Sequence, residues 1–456
     1  NEPMQKSQAA IFIDFQDNMY SIGLAMMEPY GLRGWLCEIQ SDKSHPYSAI
    51  DKLLHLLFVT GSRQLVIGAS SRSVFDEIAD NFSMYEYRYD ERVFDAVQLN
   101  LLFKETFDLH SLLTPIEHLC LEFRPLSAQA LALLATTMRR DEANIYALPT
   151  VLDVENFMEL GNNALEQLEI MSVDERNPSI AKLFLNMVTP MGKRAGRFRL
   201  FLPIKDLQEL NRRYDWIEAL SPHASWLLGQ LRLIGDFELY WWELQNRNQK
   251  DAEHFLYALD SAIEIQSFLQ RHRIFNVLTF NTLLSDWKKE LINNGQNFGW
   301  IKEQGAFVRE IIDWIGQIDV AVASALNAQK FALCRPMIVS TTGQNFLQMM
   351  GLRHLLVETQ GLAYVPNDIV MGDRDYLDLP YPTTVMLDSR VHDGENIRGV
   401  LLYGINSSGK SSLMKSIGIA VTLAQAGFFV PAKGMKFSLF DGVYTRIQSR
   451  DNVAKS

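Results

Sequence analysis

A glycine-rich octapeptide toward the end of the chain carries the residue types and spacing of a phosphate-binding loop. It matches the pattern G-x-x-x-x-G-K-[ST] at every defined position. The octapeptide consists of Gly404, Ile405, Asn406, Ser407, Ser408, Gly409, Lys410 and Ser411. Glycines allow such a loop to curl, so that backbone N–H groups point at phosphate oxygens, and the helix that follows adds its positive end. The loop therefore predicts a nucleotide-phosphate site.

Two side chains of this loop have predicted roles. Lys410 would reach the β- and γ-phosphates, and Ser411 would supply its hydroxyl to Mg²⁺. The alternative is a glycine-containing turn that fits the pattern by chance. The flanking elements favour the phosphate loop, because an apolar strand is predicted over residues 398–403 and an amphipathic helix over residues 411–425.

The elements before the loop predict three regions of different character. Strands are expected over residues 9–15 and 21–27, a helix over 47–58 and a further strand over 64–68. This alternation is typical of a small α/β domain, assigned to residues 1–130.

Long helical patterns dominate residues 131–340, with apolar residues spaced three to five apart. They are predicted around residues 152–171, 180–187, 207–214 and 308–332. Residues 341–456 would form the phosphate-loop domain. The predicted fold class is therefore a multidomain chain of α/β and all-α parts that ends in a phosphate-loop domain.

Composition limits the classes of function. The chain has 456 residues, 47% of them hydrophobic, and its 43 basic and 54 acidic residues give a net charge of −11. This balance excludes a uniformly basic DNA coat but permits DNA binding through a local basic surface. Three widely spaced cysteines cannot form a metal knuckle or a disulfide framework, which predicts a reducing intracellular compartment. No apolar run predicts a membrane span, and the first residues lack the core of a signal peptide.

Three further groups of residues each have a functional and a structural interpretation. A basic stretch with interleaved aromatics could contact DNA phosphate, although we favour a core helix whose arginines pair with carboxylates. It comprises Lys193, Arg194, Arg197, Phe198, Arg199 and Phe201. Asp373, Asp375 and Asp378 resemble the start of a calcium loop but lack its glycine and distal glutamate, which favours a solvated loop. The aromatics Phe237, Tyr240, Trp241 and Trp242 are predicted to pack between helices rather than to stack on bases.

Five short segments follow one another toward the end of the chain. They are Gly351–Glu358 (GLRHLLVE), Tyr364–Asp368 (YVPND), the phosphate loop, Gly427–Ala432 (GFFVPA) and Asp441–Ile447 (DGVYTRI). In this order they resemble the ATPase domain of the MutS family of DNA mismatch-repair proteins. Leu355, Ile405 and Ser412 stand where the family carries Pro, Pro and Thr, and the Ile405 departure is typical of a divergent branch, such as those of viruses or organelles. Segments at residues 152–160, 188–207, 233–238 and 318–320 resemble the family's core domain.

The resemblance implies that the three regions are a connector-like α/β domain, a long-helix core and lever domain, and a P-loop ATPase domain of the ABC type. It implies an ATPase of DNA mismatch repair that recognises mismatched or damaged duplex DNA as a nucleotide-switched dimeric clamp. It implies ATP and Mg²⁺ as cofactors, a homodimer formed through the ATPase domains, and a downstream repair factor as a further partner. Tyr364 would stack on the adenine, Asn406 would contact the terminal phosphate, and the loop through Ser412 would bind the nucleotide.

Alternatives are a MutS-like protein that acts on recombination intermediates or ribosomes, and a non-catalytic structural homologue. The intact Lys410 and Ser411 argue against the second.

Three parts of the family's pattern are expected to lie outside the printed chain or to be short in it. These are the N-terminal mismatch-reading domain, the clamp, for which only residues 276–301 are available, and the acidic Walker B segment. Without that last segment no carboxylate would position Mg²⁺ and water, so the chain as printed would hydrolyse ATP poorly. The segment after Ser456 is expected to complete the site of a partner subunit. Host, compartment, lesion preference and any fused nuclease are left open.

Overall fold

The computed structural model describes residues 7–447, apart from residues 63, 108, 110, 141–147, 162, 173–175, 246–251, 278–281, 295–297, 341–344, 373–396 and 406–407. The chain divides into two compact units. Unit 1 consists of Asn1–Val154, Asp236–Ile263 and Thr279–Trp314, and unit 2 of Glu155–Gly235, Glu264–Leu278 and Ile315–Ser456. The domain boundaries expected at 130 and 340 stay predictions.

Helices and strands alternate over the first third of the chain, and most of the later elements are helices. The first elements are β1 (Gln8–Gln16), β2 (Met19–Met27), β3 (Gly34–Gln40), α1 (Ser48–Thr60), β4 (Gln64–Ala69), α2 (Arg72–Ile78), β5 (Glu86–Tyr89), α3 (Ala96–Phe107), α4 (Pro115–His118), α5 (Pro125–Arg140) and β6 (Thr150–Val151). The next are β7 (Glu159–Leu160), α6 (Ala164–Gln167), α7 (Ile180–Phe184), α8 (Pro190–Phe201), α9 (Leu207–Leu220), α10 (Ala224–Ile234), α11 (Phe237–Gln245), α12 (Ala252–Arg271), α13 (Leu284–Asn294), α14 (Phe298–Glu303) and α15 (Gly305–Phe331). The last are β8 (Met337–Ile338), β9 (Phe346–Leu352), α16 (Leu355–Thr359), β10 (Asn367–Gly372), α17 (Lys410–Ala426), β11 (Gly434–Phe437) and β12 (Gly442–Val443).

Unit 1 contains a six-stranded sheet in the order β5-β4-β1-β2-β3-β6. The predicted hairpin is confirmed, because β1 and β2 pair antiparallel with Gln16 opposite Met19. Asp17 and Asn18 between them have φ of 52° and 62°, the conformation that a tight two-residue hairpin turn requires. Strands β4 and β5 extend the sheet in parallel beyond β1. The predicted α/β alternation of strands and helices is therefore present in this unit.

Helix α5 provides much of the core of unit 1. Leu131 and Leu133 are fully buried, and so are the alanines between and beside them, as expected for a helix that is apolar on all sides. The start of the helix approaches β2 at Gly23, where a Cβ atom would lie 2.0 Å from the carbonyl carbon of Leu126. Only glycine permits this distance.

The aromatic residues of α11 pack as predicted. Phe237 and Trp241 are fully buried, and their ring centroids lie 4.7 Å and 5.3 Å from that of Phe255. Burial of both rings excludes base stacking by them in this conformation.

Unit 2 contains a four-stranded sheet in the order β10-β9-β11-β8 and a two-stranded parallel sheet formed by β12 and β7. Helices α8 and α15 approach each other closely at Gly192 and Asp319. The buried Asp319 carboxylate accepts hydrogen bonds from the N–H groups of Val188 and Thr189 and from the Thr189 hydroxyl. A Cβ atom on Gly192 would lie 2.1 Å from Asp319 Oδ2, so the contact depends on the glycine.

The helix predicted around residues 152–171 is wrong. This stretch forms short strands and turns, in which β7 pairs with β12 and Met158 donates its N–H to the Pro203 carbonyl at 2.7 Å. Asn163 and Glu169 have φ of 62° and 56°, which interrupts any helix. Pairing with residues distant in sequence therefore overrides the local apolar spacing.

The other predicted helices are present as α7, α9 and α15. In the part of the chain that the structure describes, no helix is long and apolar enough to cross a membrane.

Candidate nucleotide-phosphate site

Helix α17 begins at Lys410, where the phosphate-loop pattern requires a helix to start. The residue before it, Gly409, has φ of +90°, a left-handed conformation that glycine adopts without strain. The Lys410 ammonium group folds back over the loop and donates to the carbonyls of Gly404 at 2.9 Å and Ile405 at 2.6 Å. Asn406 and Ser407 lie outside the described residues. The cation is therefore held against the loop in which phosphates would lie.

The first turn of α17 is open to solvent. Ser408, Gly409 and Ser411 are exposed. The first N–H groups of any α-helix have no partner within it, and the aligned peptide dipoles place positive charge at this end. These groups, together with Lys410, fit the chemistry of a polyphosphate.

The strand predicted before the loop is absent, which corrects the sequence interpretation. Residues 398–403 form no regular structure, and Leu401, Tyr403 and Ile405 are 86%, 89% and 82% exposed. A strand requires a neighbour for its backbone hydrogen bonds, and none of the described strands pairs with this segment. The apolar composition of residues 398–403 would suit a strand, but these residues belong to none of the described sheets.

Tyr364 lies beside the second turn of α17. Its hydroxyl is 3.5 Å from Ser416 Oγ, and Ser416 in turn donates to the Ser412 carbonyl at 2.8 Å. Ser416 follows Lys410 by six residues, about 9 Å along a helix axis. The structure therefore brings the residue predicted to contact adenine near the loop, although 46 residues separate Tyr364 from Lys410 in the sequence.

His354 contacts the other side of Tyr364. The two ring centroids are 6.1 Å apart with an edge-to-face geometry, and His354 is only 2% exposed. Burial lowers the pKa of this imidazole, which favours its neutral form. Its Nδ1 atom is buried and has no hydrogen-bond partner.

The sequence analysis did not predict two contacts of α17. Lys415 forms a 2.7 Å ion pair with Glu169, and a Cβ atom on Gly418 would lie 2.6 Å from Leu168. Glycine in a helix interior is unfavourable, so Gly418 was itself a signal of close packing. No local pattern identifies Glu169 as the partner of Lys415, because 246 residues separate them.

The metal prediction depends on Ser411 alone. Among the described residues no group of three or more His, Cys, Asp or Glu side chains could hold a metal ion. This agrees with a site in which phosphate oxygens supply other ligands, since Mg²⁺ commonly binds through few protein groups. Asp373, Asp375 and Asp378 lie outside the described residues.

The basic stretch lies on α8, as the core-helix interpretation expected. Arg199 is 4% exposed, so it does not face DNA in this conformation. The expected carboxylate pairing is absent at Arg199, whose buried Nε and Nη1 atoms have no hydrogen-bond partner. Burial lowers the pKa of this guanidinium, and nearby Arg213 adds to the effect.

Comparison with known proteins shows which family the segment around this loop resembles. The family model of MutS domain V matches residues 400–456, which include the loop and all of α17. A mutS homolog of Acanthamoeba polyphaga mimivirus is 32% identical over 166 residues. This part of the chain is therefore similar to the MutS family. The predicted resemblance is thereby confirmed.

Other MutS relatives match over similar lengths. The DNA mismatch repair protein MutS 2 of Haloarcula marismortui is 30% identical over 156 residues, and the MutS of Symbiobacterium thermophilum is 33% identical over 142. These three matches cover 31% to 34% of this chain and 14% to 16% of the relatives' own length.

Proposed function

We propose that this chain is part of an ATP-dependent DNA mismatch-repair protein. The observation that supports this most directly is the start of α17, where Lys410 lies over the carbonyls of Gly404 and Ile405 beside a left-handed Gly409. Three similar proteins, from a virus, an archaeon and a bacterium, are named as DNA mismatch repair proteins.

The proposed binding mode assigns each end of ATP to different residues. Backbone N–H groups of the loop and the first turn of α17 would bind the phosphates, and Lys410 would add a positive charge at the β- and γ-phosphates. Ser411 would ligate Mg²⁺, whose charge would offset that of the phosphates. Tyr364 would stack on the adenine, with His354 packed against its ring edge.

We propose ATP hydrolysis for the intact protein only. Its substrates would be ATP and duplex DNA with a mismatch or lesion, its active form a homodimer through the ATPase domains, and a downstream repair factor a further partner. DNA would stimulate the ATPase, and the nucleotide and DNA affinities would be linked.

Lys410→Ala should weaken ATP binding in the intact protein by roughly 10- to 100-fold. A hydrogen bond to a charged group contributes about 1.5–3 kcal/mol, and the variant loses the charge at the phosphates. Titration with a fluorescent ATP analogue measures the change.

Lys415→Ala is the matched control for this variant. It removes a lysine of the same helix that pairs with Glu169 instead, and it should change ATP affinity by less than about twofold, since its ammonium group is bonded to a carboxylate outside the loop. Undiminished affinity in Lys410→Ala would reject the phosphate site. Binding of mismatched duplex no tighter than matched duplex, with tighter binding to a four-way junction, would favour the recombination alternative.

A further inference from the structure

The C-terminal end of α17 has an unusual set of partners. Every α-helix ends with four carbonyl groups that lack a partner inside the helix. In α17 these carbonyls belong to Leu423, Ala424, Gln425 and Ala426. The chain reversal at Gly427 satisfies the first two, because Phe428 donates its N–H to Leu423 and Gly427 donates to Ala424, both at 2.9 Å. This pair of bonds is the Schellman motif.

The segment before α9 and α9 itself each satisfy one of the other two. Ile204 donates its N–H to the Gln425 carbonyl at 2.8 Å, and Arg213 Nη1 donates to the Ala426 carbonyl at 3.0 Å. The Tyr214 hydroxyl adds a bond of 2.6 Å to the Ala424 carbonyl. Burial raises the pKa of Tyr214, so its hydroxyl keeps the proton that it donates. All four terminal carbonyls of α17 are therefore bonded, and three of them accept from residues between α8 and the end of α9.

The side chain of Gln425 fixes the same end from another direction. It is fully buried, donates to the carbonyls of Ile204 at 3.2 Å and Phe440 at 3.0 Å, and accepts the Phe440 N–H at 2.8 Å. These bonds leave α17 little freedom to slide along its axis relative to α9.

Charge contributes to the same contact. Arg213 donates from Nε to Glu209 at 2.9 Å while its Nη1 reaches Ala426, and its side chain is only 11% exposed. A cation at the negative end of a helix dipole is stabilising, and the effect is larger where the site is partly buried. Arg213 therefore links a carboxylate of α9 to the last carbonyl of α17.

We propose that Arg213 and Tyr214 are positioning residues that couple the phosphate helix to α9. Because α17 is a continuous helix of 17 residues, a displacement at Lys410 would move its far end by a similar distance. The bonds of Arg213 and Tyr214 would carry this movement into α9, and thereby link nucleotide binding to DNA binding. This inference depends on the proposed function, because it requires that the protein binds both ATP and DNA.

Tyr214→Phe tests the inference with the smallest change. The variant keeps the ring, which packs 6.3 Å from that of Phe429, and Ala424 keeps its bond from Gly427. A fluorescent ATP analogue is titrated into the intact protein with and without saturating mismatched duplex, and the ratio of the two affinities is the coupling factor. We expect this factor to move toward one by about fivefold, the equivalent of one neutral hydrogen bond. ATP affinity without DNA should change by less than about twofold, because the hydroxyl lies at the opposite end of α17 from Lys410.

Substitutions of Arg213 give a second measurement. Arg213→Met removes the charge and both bonds, and should reduce the coupling factor more than Tyr214→Phe does. Arg213→Lys keeps the charge but cannot contact Glu209 and Ala426 together, so it should restore the coupling in part.

Ser324→Ala is the matched control. The buried Ser324 hydroxyl donates at 2.6 Å to Val320 within its own helix, so the variant loses one hydrogen bond that joins no two helices. An unchanged coupling factor in Tyr214→Phe, an equal loss in Ser324→Ala, or a coupling factor of one in the unsubstituted protein would each overturn the inference. Failure of the unsubstituted protein to bind ATP or DNA would reject the proposed function itself.

Discussion

His354 combines an ionisable ring with almost complete burial, next to Tyr364. Burial is the main cause of its lowered pKa; Glu169 opposes the shift and Lys415 contributes to it. Below the ordinary histidine pKa of about 6.5, the unfolded chain therefore binds a proton more readily than the folded one. The free energy of unfolding should thus fall as the pH drops through the window between about 6.5 and the lowered pKa, and it should recover as the pH rises.

His354→Gln should reduce this pH dependence. The parent loses up to about 1.4 kcal/mol per pH unit within the window, and the variant lacks the group responsible. Urea unfolding at about pH 7.5 and pH 5.5 measures the difference. His45→Gln, at an exposed position, is the control and should behave like the parent. An identical pH dependence in His354→Gln and the parent would contradict the assignment.

The residues of the candidate site differ in how well the sequence alone predicts their roles. Lys410 and Ser411 are identified by spacing alone, because the loop and the helix start are local structures. Tyr364 could be proposed only through the family resemblance. Arg213 and Tyr214 were not found, because their partners on α17 lie 213 and 210 residues away and a carbonyl can accept from any donor.

At the scale of elements, the turn after α17 depends on Gly427. Its φ is +83°, and a Cβ atom there would lie 2.4 Å from Arg213 Cδ. Gly427→Ala should lower the free energy of unfolding by about 2–3 kcal/mol, because it adds the cost of a left-handed alanine to a steric clash. Chemical denaturation measures the change.

The Gly61→Ala variant separates the conformational cost of a left-handed alanine from the cost of a steric clash. Gly61 ends α1 with φ of +67°, and no atom lies within 4 Å of its would-be Cβ. This variant should therefore cost only about 1–2 kcal/mol, the conformational part alone. Equal losses in both variants would show that Arg213 moves aside freely, contrary to the tight contact described above.

The two wrong element predictions have different physical causes. Around residues 152–171 the apolar spacing suited a helix, yet pairing of β7 with β12 determined the structure, and their partners are separated by 283 residues. Residues 398–403 have the composition of a strand but no described partner. By contrast, α15 and α17 were predicted well, because helical hydrogen bonds are local and the apolar spacing is long enough to identify them.

At the scale of the whole molecule, the exposed phosphate loop bears on assembly. Leu401, Tyr403 and Ile405 present apolar surface beside the exposed Ser411. Water around such a site screens its charges, which weakens the stabilisation of a phosphoryl transition state. A second subunit that covered this surface would remove water and bury the apolar side chains together.

The intact protein should therefore dimerise through its ATPase domains when it binds ATP. Linkage requires that DNA alters ATP affinity by the same factor by which ATP alters DNA affinity, with expected factors of about 5 to 150. Light scattering with ATP and mismatched duplex measures the mass, and paired titrations measure the two factors. Lys410→Ala is the control, because it should remove the effect of ATP on both mass and DNA affinity. A protein that stays monomeric at micromolar concentration while it hydrolyses ATP at its DNA-stimulated rate would contradict the dimer.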